Sequence, residues 1–154
     1  MAIDFTLTPE LEDLRTKVRG FLDEVVVPTE KTLDPDDRDA YLTALLGMRK
    51  AAFDAGLWCP HMPEEWGGMG LSHVEMAMVQ AEAAKTYYGP WVLNCQAPDE
   101  GNMHTLLHWA TPEQAEKYLR PLCDGKAWSC FAMTEPEVAG SDPTLIQTRA
   151  YQDG

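Results

Sequence analysis

The chain has 154 residues, of which 45% are hydrophobic and 24% are charged, a composition typical of a globular domain and not of a disordered chain. Its 25 acidic residues outnumber the 12 basic ones, and the formal net charge is -13 at pH 7. A charge of this sign disfavours long-range attraction to phosphate backbones and anionic lipid, so nucleic acid is not an expected partner.

The cysteines are scattered and form no Cys-x-x-Cys pair, so we predict reduced thiols and neither a zinc site nor a disulfide framework. The first residues lack the basic and apolar regions of a signal peptide, and no apolar run is long enough to cross a bilayer. We expect no membrane insertion and a cytoplasmic location, or the mitochondrial matrix or a peroxisome if the source is eukaryotic. The four cysteines are Cys59, Cys95, Cys123 and Cys130.

The first predicted helix starts at Thr8, a capping residue followed by Pro9 at the first helical position. Pro28 is expected to end it, because proline lacks the backbone N–H and its ring clashes with the preceding turn. Residues 29–39 are rich in charge, Thr and Pro and are predicted to form a linker. The apolar positions at helical spacing are Leu11, Leu14, Val18, Phe21, Leu22 and Val25.

The second predicted helix is stopped by Gly56, since glycine favours the left-handed backbone that closes helices. A turn-rich segment, residues 60–70, follows it and is predicted to be a shaped loop, because its prolines and glycines suit neither helix nor strand. The apolar positions of this helix are Tyr41, Leu45, Met48, Ala52 and Phe53.

A third helix is predicted to start at Ser72 and Glu75, which have the spacing of a capping box, and to end before Gly89. Its apolar positions are Val74, Met78 and Ala81. A fourth helix covers much of residues 92–109, with a break or a late start at Pro98.

The fifth helix combines a Thr111 cap, Pro112 at the first position and Gln114 in the capping-box position, and it runs to Gly125. Beyond residue 126 the pattern alternates, so residues 127–133 and 145–151 are each predicted to form a strand. We therefore predict a mainly α chain: a helical domain over residues 1–126, and the first strands of an incomplete β-domain over residues 127–154.

Residues 133–142, between the two predicted strands, contain the motif that carries chemistry. The hydroxyls of Thr134 and Ser141 lie around a Pro/Gly turn that carboxylates can brace. Such a loop can donate hydrogen bonds to a heterocycle and a phosphate. The alternative is an ordinary polar turn in which Asp142 bonds to the backbone.

This segment resembles the first signature of the acyl-CoA dehydrogenase family, in which an aromatic residue and Thr-Glu-Pro are followed shortly by Gly-Ser-Asp. The resemblance extends over essentially all 154 residues, because other stretches similar to family landmarks occur in the same order. They are the Phe5 to Arg19 helix, Ala55-Gly56-Leu57, the loop of residues 63–71, and Thr111-Pro112-Glu113-Gln114 with Tyr118-Leu119. Asn94-Cys95-Gln96-Ala97-Pro98-Asp99 indicates similarity to one subgroup.

The resemblance implies that FAD is the cofactor. By similarity, Phe131, Met133 and Thr134 line the flavin, main-chain groups and the Thr134 hydroxyl bond to the isoalloxazine ring, and Ser141 contacts both the cofactor and the acyl-CoA substrate. The family pattern continues from Thr-Glu-Pro directly into Gly-Ala-Gly-Ser-Asp. Here Glu137-Val138 replaces one residue with two, which makes the loop before Ser141 one residue longer.

The activity implied for the intact enzyme is α,β-dehydrogenation of an acyl-CoA thioester, in which a carboxylate base removes the α-proton while the β-hydride passes to the flavin. The family's Glu base belongs to later sequence, so we predict no catalytic residue and no metal site here, and a fragment that is inactive alone. An electron-transfer acceptor protein and a homo-oligomer are implied as partners. The open alternatives are a non-catalytic helical interaction module on the same scaffold and a flavin oxidase of the same superfamily.

The remaining conspicuous residues receive structural predictions. Histidines without a nucleophile at a telling spacing are expected at the surface or in caps, and they are His61, His73, His104 and His108. Residues expected to fill the core are Met76, Met78, Met103 and Trp109. A functional alternative is that part of residues 96–103 walls an acyl channel, which family members build between helices of this domain.

Overall fold

The computed structural model of the chain describes residues 6–34 and 36–153, and the predicted mainly α fold is confirmed. Helix α1 begins as Pro9–Phe21, passes through the π-helical turn Leu22–Val26 and ends as Val27–Glu30. The next helices are α2 (Arg38–Asp54), α3 (His73–Ala83), α4 (Gly89–Val92) and α5 (Asp99–Trp109). Helix α6 joins Pro112–Gln114, the π-helical turn Ala115–Leu119 and Arg120–Cys123. Phe5, the first residue of the stretch to Arg19 that resembles a family landmark, lies outside the described residues.

The predicted helix starts are confirmed by their capping bonds. The Thr8 hydroxyl accepts the Leu11 N–H at 3.3 Å, which satisfies one of the free donors of α1. Both predicted capping boxes are complete, at Ser72 before α3 and at Thr111 before α6. Pro98 directly precedes α5, in agreement with a late start of the fourth predicted helix.

Two prolines lie inside helices, each directly after the first residue beyond a π-helical turn. The Val27 N–H bonds to the carbonyl of Leu22, one residue before Pro28, and the Arg120 N–H bonds to that of Ala115, one residue before Pro121. A π-helical turn absorbs one extra residue and so shifts the local carbonyl positions that a proline ring would otherwise meet. The prediction that Pro28 ends the first helix is therefore wrong. The connection to α2 is shorter than the predicted linker, because residues 29–30 belong to α1 and residues 38–39 to α2.

The core lies where three helix pairs meet: α1 packs along α3, α2 against α4, and α5 against α6. The loop between α2 and α3 also contributes to it, since Leu57 and Met62 are as deeply buried as the helical residues. Buried apolar side chains of the helices are Val18, Leu22, Val26, Leu45, Met48, Ala52, Met76, Val79, Ala83, Val92, Met103, Leu119 and Leu122.

Several residues predicted at apolar helix positions or in the core are exposed, among them Phe53, Val74, Ala81 and Trp109. Val74 is 62% exposed, because α3 turns Met76 and Val79 toward the core instead. Apolar residues occupy all sides of α3, so their spacing alone does not define which side is buried. Trp109, predicted to fill the core, is 85% exposed at the end of α5.

The loop between α2 and α3 has the tight shape that its prolines and glycines predict. A β-carbon on Gly68 would lie 2.1 Å from the carbonyl oxygen of Met62, so no larger residue fits there without a backbone shift. The Gly70 N–H closes the same turn by donating to the Met62 carbonyl at 2.8 Å. Gly67 adopts a φ of 82°, which is left-handed backbone.

The predicted strands 127–133 and 145–151 are not seen, because no strand occurs among residues 6–34 and 36–153. Alternation predicts an extended backbone, but a strand also needs a neighbouring backbone to bond with. Here the Gln147 and Thr148 N–H groups donate to the side chain of Glu135. In residues 127–133, the polar groups of Ser129 and Cys130 form hydrogen bonds with side chains of α5 and not with another strand.

Candidate functional site

Phe131 and Met133, two of the four residues predicted to contact the flavin, line the same open cavity of about 460 Å³. Phe131 is 69% exposed, which is unusual for a large aromatic ring. Asn102 of α5 and Ile146 of the C-terminal segment form other parts of the lining. The structure therefore brings these two residues together on an accessible surface with aromatic and apolar character.

Thr134 and Ser141 are exposed and do not line this cavity. The loop nevertheless folds back on itself, because a β-carbon on Gly140 would lie 3.8 Å from the Thr134 hydroxyl oxygen. The chain neighbour of Ser141 thus lies beside Thr134, although the two residues are seven positions apart. The structure groups the four predicted residues along one segment and places only Phe131 and Met133 in the same cavity.

Glu135 braces the loop from inside the Thr-Glu-Pro motif. Its carboxylate accepts the Gln147 N–H at 2.9 Å and the Thr148 N–H at 2.6 Å, and it also accepts the Thr148 hydroxyl. The hydroxyl bond of Thr148, followed by the amide bond of Gln147, lowers the pKa of Glu135 below its ordinary value. The predicted bracing by a carboxylate is therefore present, and Glu135 is one of the residues that provide it.

Asp142 stabilises the next turn. It accepts the Thr144 hydroxyl at 2.6 Å and the Thr144 N–H at 3.0 Å, which caps the turn Pro143–Leu145. These bonds, the hydroxyl first, lower the pKa of Asp142. This side-chain to backbone contact is the one expected if the segment is an ordinary polar turn.

A buried carboxylate holds the chain just before the motif. Asp99, at the start of α5, is 1% exposed. Its Oδ1 accepts the Ser129 N–H at 2.7 Å and the Ser129 hydroxyl at 2.5 Å, while its Oδ2 accepts the Gln96 amide at 2.5 Å. Asn102, one turn further along α5, donates to the Ser129 hydroxyl oxygen at 2.8 Å.

The guanidinium of Arg49, 3% exposed, lies between two indole rings, 4.7 Å from the centre of Trp58 and 5.7 Å from that of Trp128. It donates to the Trp91 carbonyl at 2.5 Å and to the Asn94 side chain at 3.0 Å. Burial lowers the pKa of Arg49, and the charge of Asp99 acts against that shift. Arg49 therefore links α2 to the residue next to Ser129.

Residue-by-residue inspection of the sequence does not single out Asp99 or Arg49. Asp99 belongs to the Asn94 to Asp99 stretch that indicates the family subgroup, which is the one signal that points to it. Arg49 carries no such signal, since an arginine in an amphipathic helix is ordinarily a solvent-exposed residue.

His61 departs from the prediction of a surface or capping role. It is 6% exposed, and neither ring nitrogen has a hydrogen-bond partner. Burial, followed by the neighbouring His104, lowers the pKa of His61 to about 4. The His61 and His104 rings lie 5.2 Å apart at a small cavity that also includes Glu100. At neutral pH His61 is therefore an uncharged core side chain.

The four cysteines are free, and three of them are buried. Burial raises the pKa of Cys95 to about 12, and the contact with the Cys123 thiol, followed by burial, raises the pKa of Cys59. Thiols of this kind are poor nucleophiles. Within the described residues, no group of three or more His, Cys, Asp or Glu side chains is arranged to hold a metal ion. None of the helices in those residues is long and apolar enough to span a bilayer.

The helical part of the chain, residues 8–126, matches the family model of the acyl-CoA dehydrogenase N-terminal domain. The chain therefore belongs to the acyl-CoA dehydrogenase family, as its sequence motifs predict.

Individual relatives agree with this assignment. Acyl-CoA dehydrogenase family member 11 of Gallus gallus is 36% identical over 151 residues, which cover 93% of this chain and 19% of that protein. Probable acyl-CoA dehydrogenase FadE2 of Mycobacterium tuberculosis is 35% identical over 159 residues, which cover 99% of this chain and 38% of the relative. A solved structure of a candidate acyl-CoA dehydrogenase from Mycobacterium abscessus has a TM-score of 0.79 and 35% identity, and the match covers 91% of this chain and 38% of that one. The chain thus spans between about a fifth and two fifths of these relatives.

Proposed function

We propose that this chain forms the helical domain and part of the flavin surface of an FAD-dependent enzyme that dehydrogenates acyl-CoA thioesters at the α,β position. The observation that carries the proposal is the family membership of residues 8–126, followed directly by the Thr-Glu-Pro and Gly-Ser-Asp motif. The proposed flavin contacts are Phe131, Met133, Thr134 and Ser141, with Ser141 also contacting the acyl-CoA.

The surface around Phe131 suits a flat heterocycle. An aromatic ring and a thioether, from Phe131 and Met133, offer contacts to a ring face in an open cavity. Thr134 directly follows Met133 and is exposed, and we propose that its hydroxyl bonds to a ring heteroatom. Bound flavin supplies the hydride acceptor, while these residues of the chain bind and orient the ring.

The carboxylates near this surface are poor candidates for the base that removes the α-proton. Glu135 and Asp142 each accept a threonine hydroxyl, from Thr148 and Thr144, as well as backbone N–H groups, and these bonds lower the pKa of each. A lowered pKa weakens a carboxylate as a base. Asp99 is buried, and both its oxygens accept hydrogen bonds. We therefore propose that the base comes from outside residues 1–154, as the family resemblance implies.

The proposal includes an electron-transfer acceptor protein and a homo-oligomer, in the cytoplasm or in the organelles named above. Two other functions compete with it. A helical interaction module would use the same fold without flavin, and a flavin oxidase would use oxygen as the acceptor. The unusual exposure of Phe131 favours a function in which this ring is covered by a ligand or by further protein.

The test uses the protein made from the complete reading frame that contains this sequence. We expect it to purify with FAD and to lose flavin absorbance when an acyl-CoA is added without oxygen. Thr134→Val should weaken FAD binding by about 1–3 kcal/mol, because it removes one hydroxyl and keeps the side-chain shape. Thr43→Val, on the exposed side of α2, is the matched control.

The outcomes separate the three functions. A protein without flavin, even after FAD is added, would support the interaction module. Fast reoxidation by oxygen after reduction by acyl-CoA would support the oxidase. Equal FAD affinity for Thr134→Val and Thr43→Val would remove Thr134 from the cofactor site. The 154-residue chain alone is expected to carry little FAD, since an open surface leaves much of the cofactor in water.

A further inference from the structure

Asp99 makes contacts that its position in α5 does not require. It is the first residue of the helix, where a carboxylate ordinarily interacts with the free N–H groups of the first turn. Instead, one oxygen of Asp99 accepts two bonds from Ser129, thirty residues away, and the other accepts the Gln96 amide. The helix start itself has no side-chain cap.

A fully buried carboxylate is unfavourable unless hydrogen bonds and nearby positive charge compensate for its lost hydration. Asp99 has three such bonds, two of them at 2.5 Å, and the charge of Arg49 acts on it from within the same buried region. Two of the three donors belong to Ser129, so most of the hydrogen bonds that stabilise the Asp99 carboxylate come from the segment after α6.

The residues around Ser129 are held by three contacts with the helices. The Arg49 guanidinium lies over the ring of Trp128, Asp99 binds Ser129, and the Asn102 amide reaches the Cys130 carbonyl at 3.5 Å. These three consecutive residues directly precede Phe131 and Met133, whose side chains are exposed or half-buried. Contacts with the helices therefore hold the chain up to the first proposed flavin residue.

We infer that Asp99 is a positioning residue: by binding Ser129 it fixes residues 128–130 on α5 and so sets the place of Phe131 and Met133 on the flavin surface. This inference rests on the proposed function. It assigns a role to the Asn94 to Asp99 stretch, in which Asn94 orients Arg49 and Gln96 orients Asp99.

The first measurement uses nuclear magnetic resonance on the 154-residue chain with Asp99→Ala. We expect the Ser129 amide proton to exchange with solvent at least tenfold faster, and contacts between Asn102 and residues 129–130 to disappear, while the amides in the middle of α5 keep their exchange rates. Glu100→Gln is the matched control, since Glu100 is the next residue of α5 and accepts a bond from Gln80 and none from Ser129. Unchanged exchange at Ser129, or equally faster exchange throughout α5, would overturn the inference.

The second measurement uses the complete flavin-loaded protein with Asp99→Ala, Ser129→Ala and both changes together. We expect Asp99→Ala to weaken FAD binding about tenfold or more and to shift the flavin absorption spectrum, with a smaller effect of Ser129→Ala. Adding Ser129→Ala to Asp99→Ala should weaken binding by less than Ser129→Ala does in the unchanged protein, because the Asp99–Ser129 contact is already lost and only the bond from Asn102 to the Ser129 hydroxyl remains to be removed. Asp99→Asn keeps an acceptor oxygen, so its FAD affinity should lie between those of the unchanged protein and Asp99→Ala. It replaces Asp99→Ala in this test if the alanine variant folds poorly.

The two proposals fail in different ways. If the unchanged protein binds no FAD, the proposed function is wrong, and the exchange rates of the first measurement alone decide whether Asp99 holds residues 128–130. If the unchanged protein binds FAD and Asp99→Ala releases Ser129 with no effect on the flavin, the proposed function stands and the positioning role of Asp99 is wrong.

Discussion

The helical part of the chain and the C-terminal segment are held in place by different forces. Deeply buried apolar residues such as Leu119 and Met103 lie in the helices, whereas residues 141–153 are all exposed. In the C-terminal segment, residues 127–153, the carboxylates of Glu135 and Asp142 accept hydrogen bonds from backbone N–H groups. Asp99 of α5 binds Ser129 and so connects this segment to the helices. In this chain the helical fold depends on apolar burial and the motif segment on hydrogen bonds to carboxylates, so the two should respond to different changes.

The largest expected effect is on the helical core. Leu119→Ala should lower the free energy of unfolding by about 2–5 kcal/mol, because Leu119 is fully buried and the change leaves a cavity. Leu145→Ala, the matched change in the segment, should alter it by less than about 0.5 kcal/mol, since Leu145 is 47% exposed. Urea unfolding followed by circular dichroism measures both, and equal losses would contradict the comparison.

The second effect is a loss of helical stability in mild acid, caused by His61. The folded pKa of His61 is about 4, below the ordinary value of 6.5, so the unfolded chain binds a proton first as the pH falls. The stability that neutral His61 provides is therefore complete above pH 6.5 and is lost as the pH falls toward 4. The expected loss is roughly 3 kcal/mol.

The control for this effect is a histidine that lies at the surface. His61→Leu should remove most of the stability loss between pH 6.5 and 4.5, because leucine has no proton to bind, whereas His73→Leu at the exposed start of α3 should keep most of it. The measurement is the urea midpoint at several pH values. An equal pH dependence in the unchanged protein and in His61→Leu would contradict the assignment.

The third effect concerns the contact between α1 and α3. Glu82, 3% exposed, accepts two bonds from Arg19, at 2.6 and 3.0 Å, and one from Lys85 at 2.5 Å. The bond to Arg19 is the main reason that the pKa of Glu82 falls to about 2. A lowered carboxyl pKa gives stability that is present above pH 4.5 and lost as the pH falls toward 2.

Glu82→Gln should therefore lower the free energy of unfolding at pH 7 by about 1–3 kcal/mol, because the charged bonds are lost while the side-chain volume is kept. Glu12→Gln, which removes a half-buried pair with Arg15 on α1, is the matched control and should cost less than about 1 kcal/mol. If both changes cost the same at pH 7, the buried position of Glu82 would have no energetic consequence.

The parts of this fold that local chemistry determines could be predicted from the sequence. The capping boxes at Ser72 and Thr111 and the stop at Gly56 depend on residues within four positions of one another. The prediction that Pro28 ends the first helix fails for the opposite reason. Its local rule is correct, but the π-helical turn Leu22–Val26 accommodates it in a helix that packing keeps continuous.

Of the candidate site, only the residues within the sequence motif could be predicted. Phe131, Met133 and Thr134 follow from the resemblance, whereas the Asp99–Ser129 contact joins residues thirty positions apart and has no periodic signature. The strand predictions failed because alternation in residues 145–151 describes an extended chain but not its partner, and here Glu135 takes that place. Burial of His61 likewise depends on its neighbours in space.

The smallest expected effect on overall stability, and the most local one, is that of Glu135→Gln. The amide keeps one acceptor oxygen but loses the charge that holds the Gln147 and Thr148 N–H groups together. Because Glu135 anchors exposed residues and no part of the core, the urea midpoint should stay the same while amide exchange at Gln147 and Thr148 becomes several times faster. Asp142→Asn, at the neighbouring turn, should leave those two amides unaffected. A lowered urea midpoint in Glu135→Gln would mean that the segment contributes to the stability of the helical core, and the separation of the two regions would then be wrong.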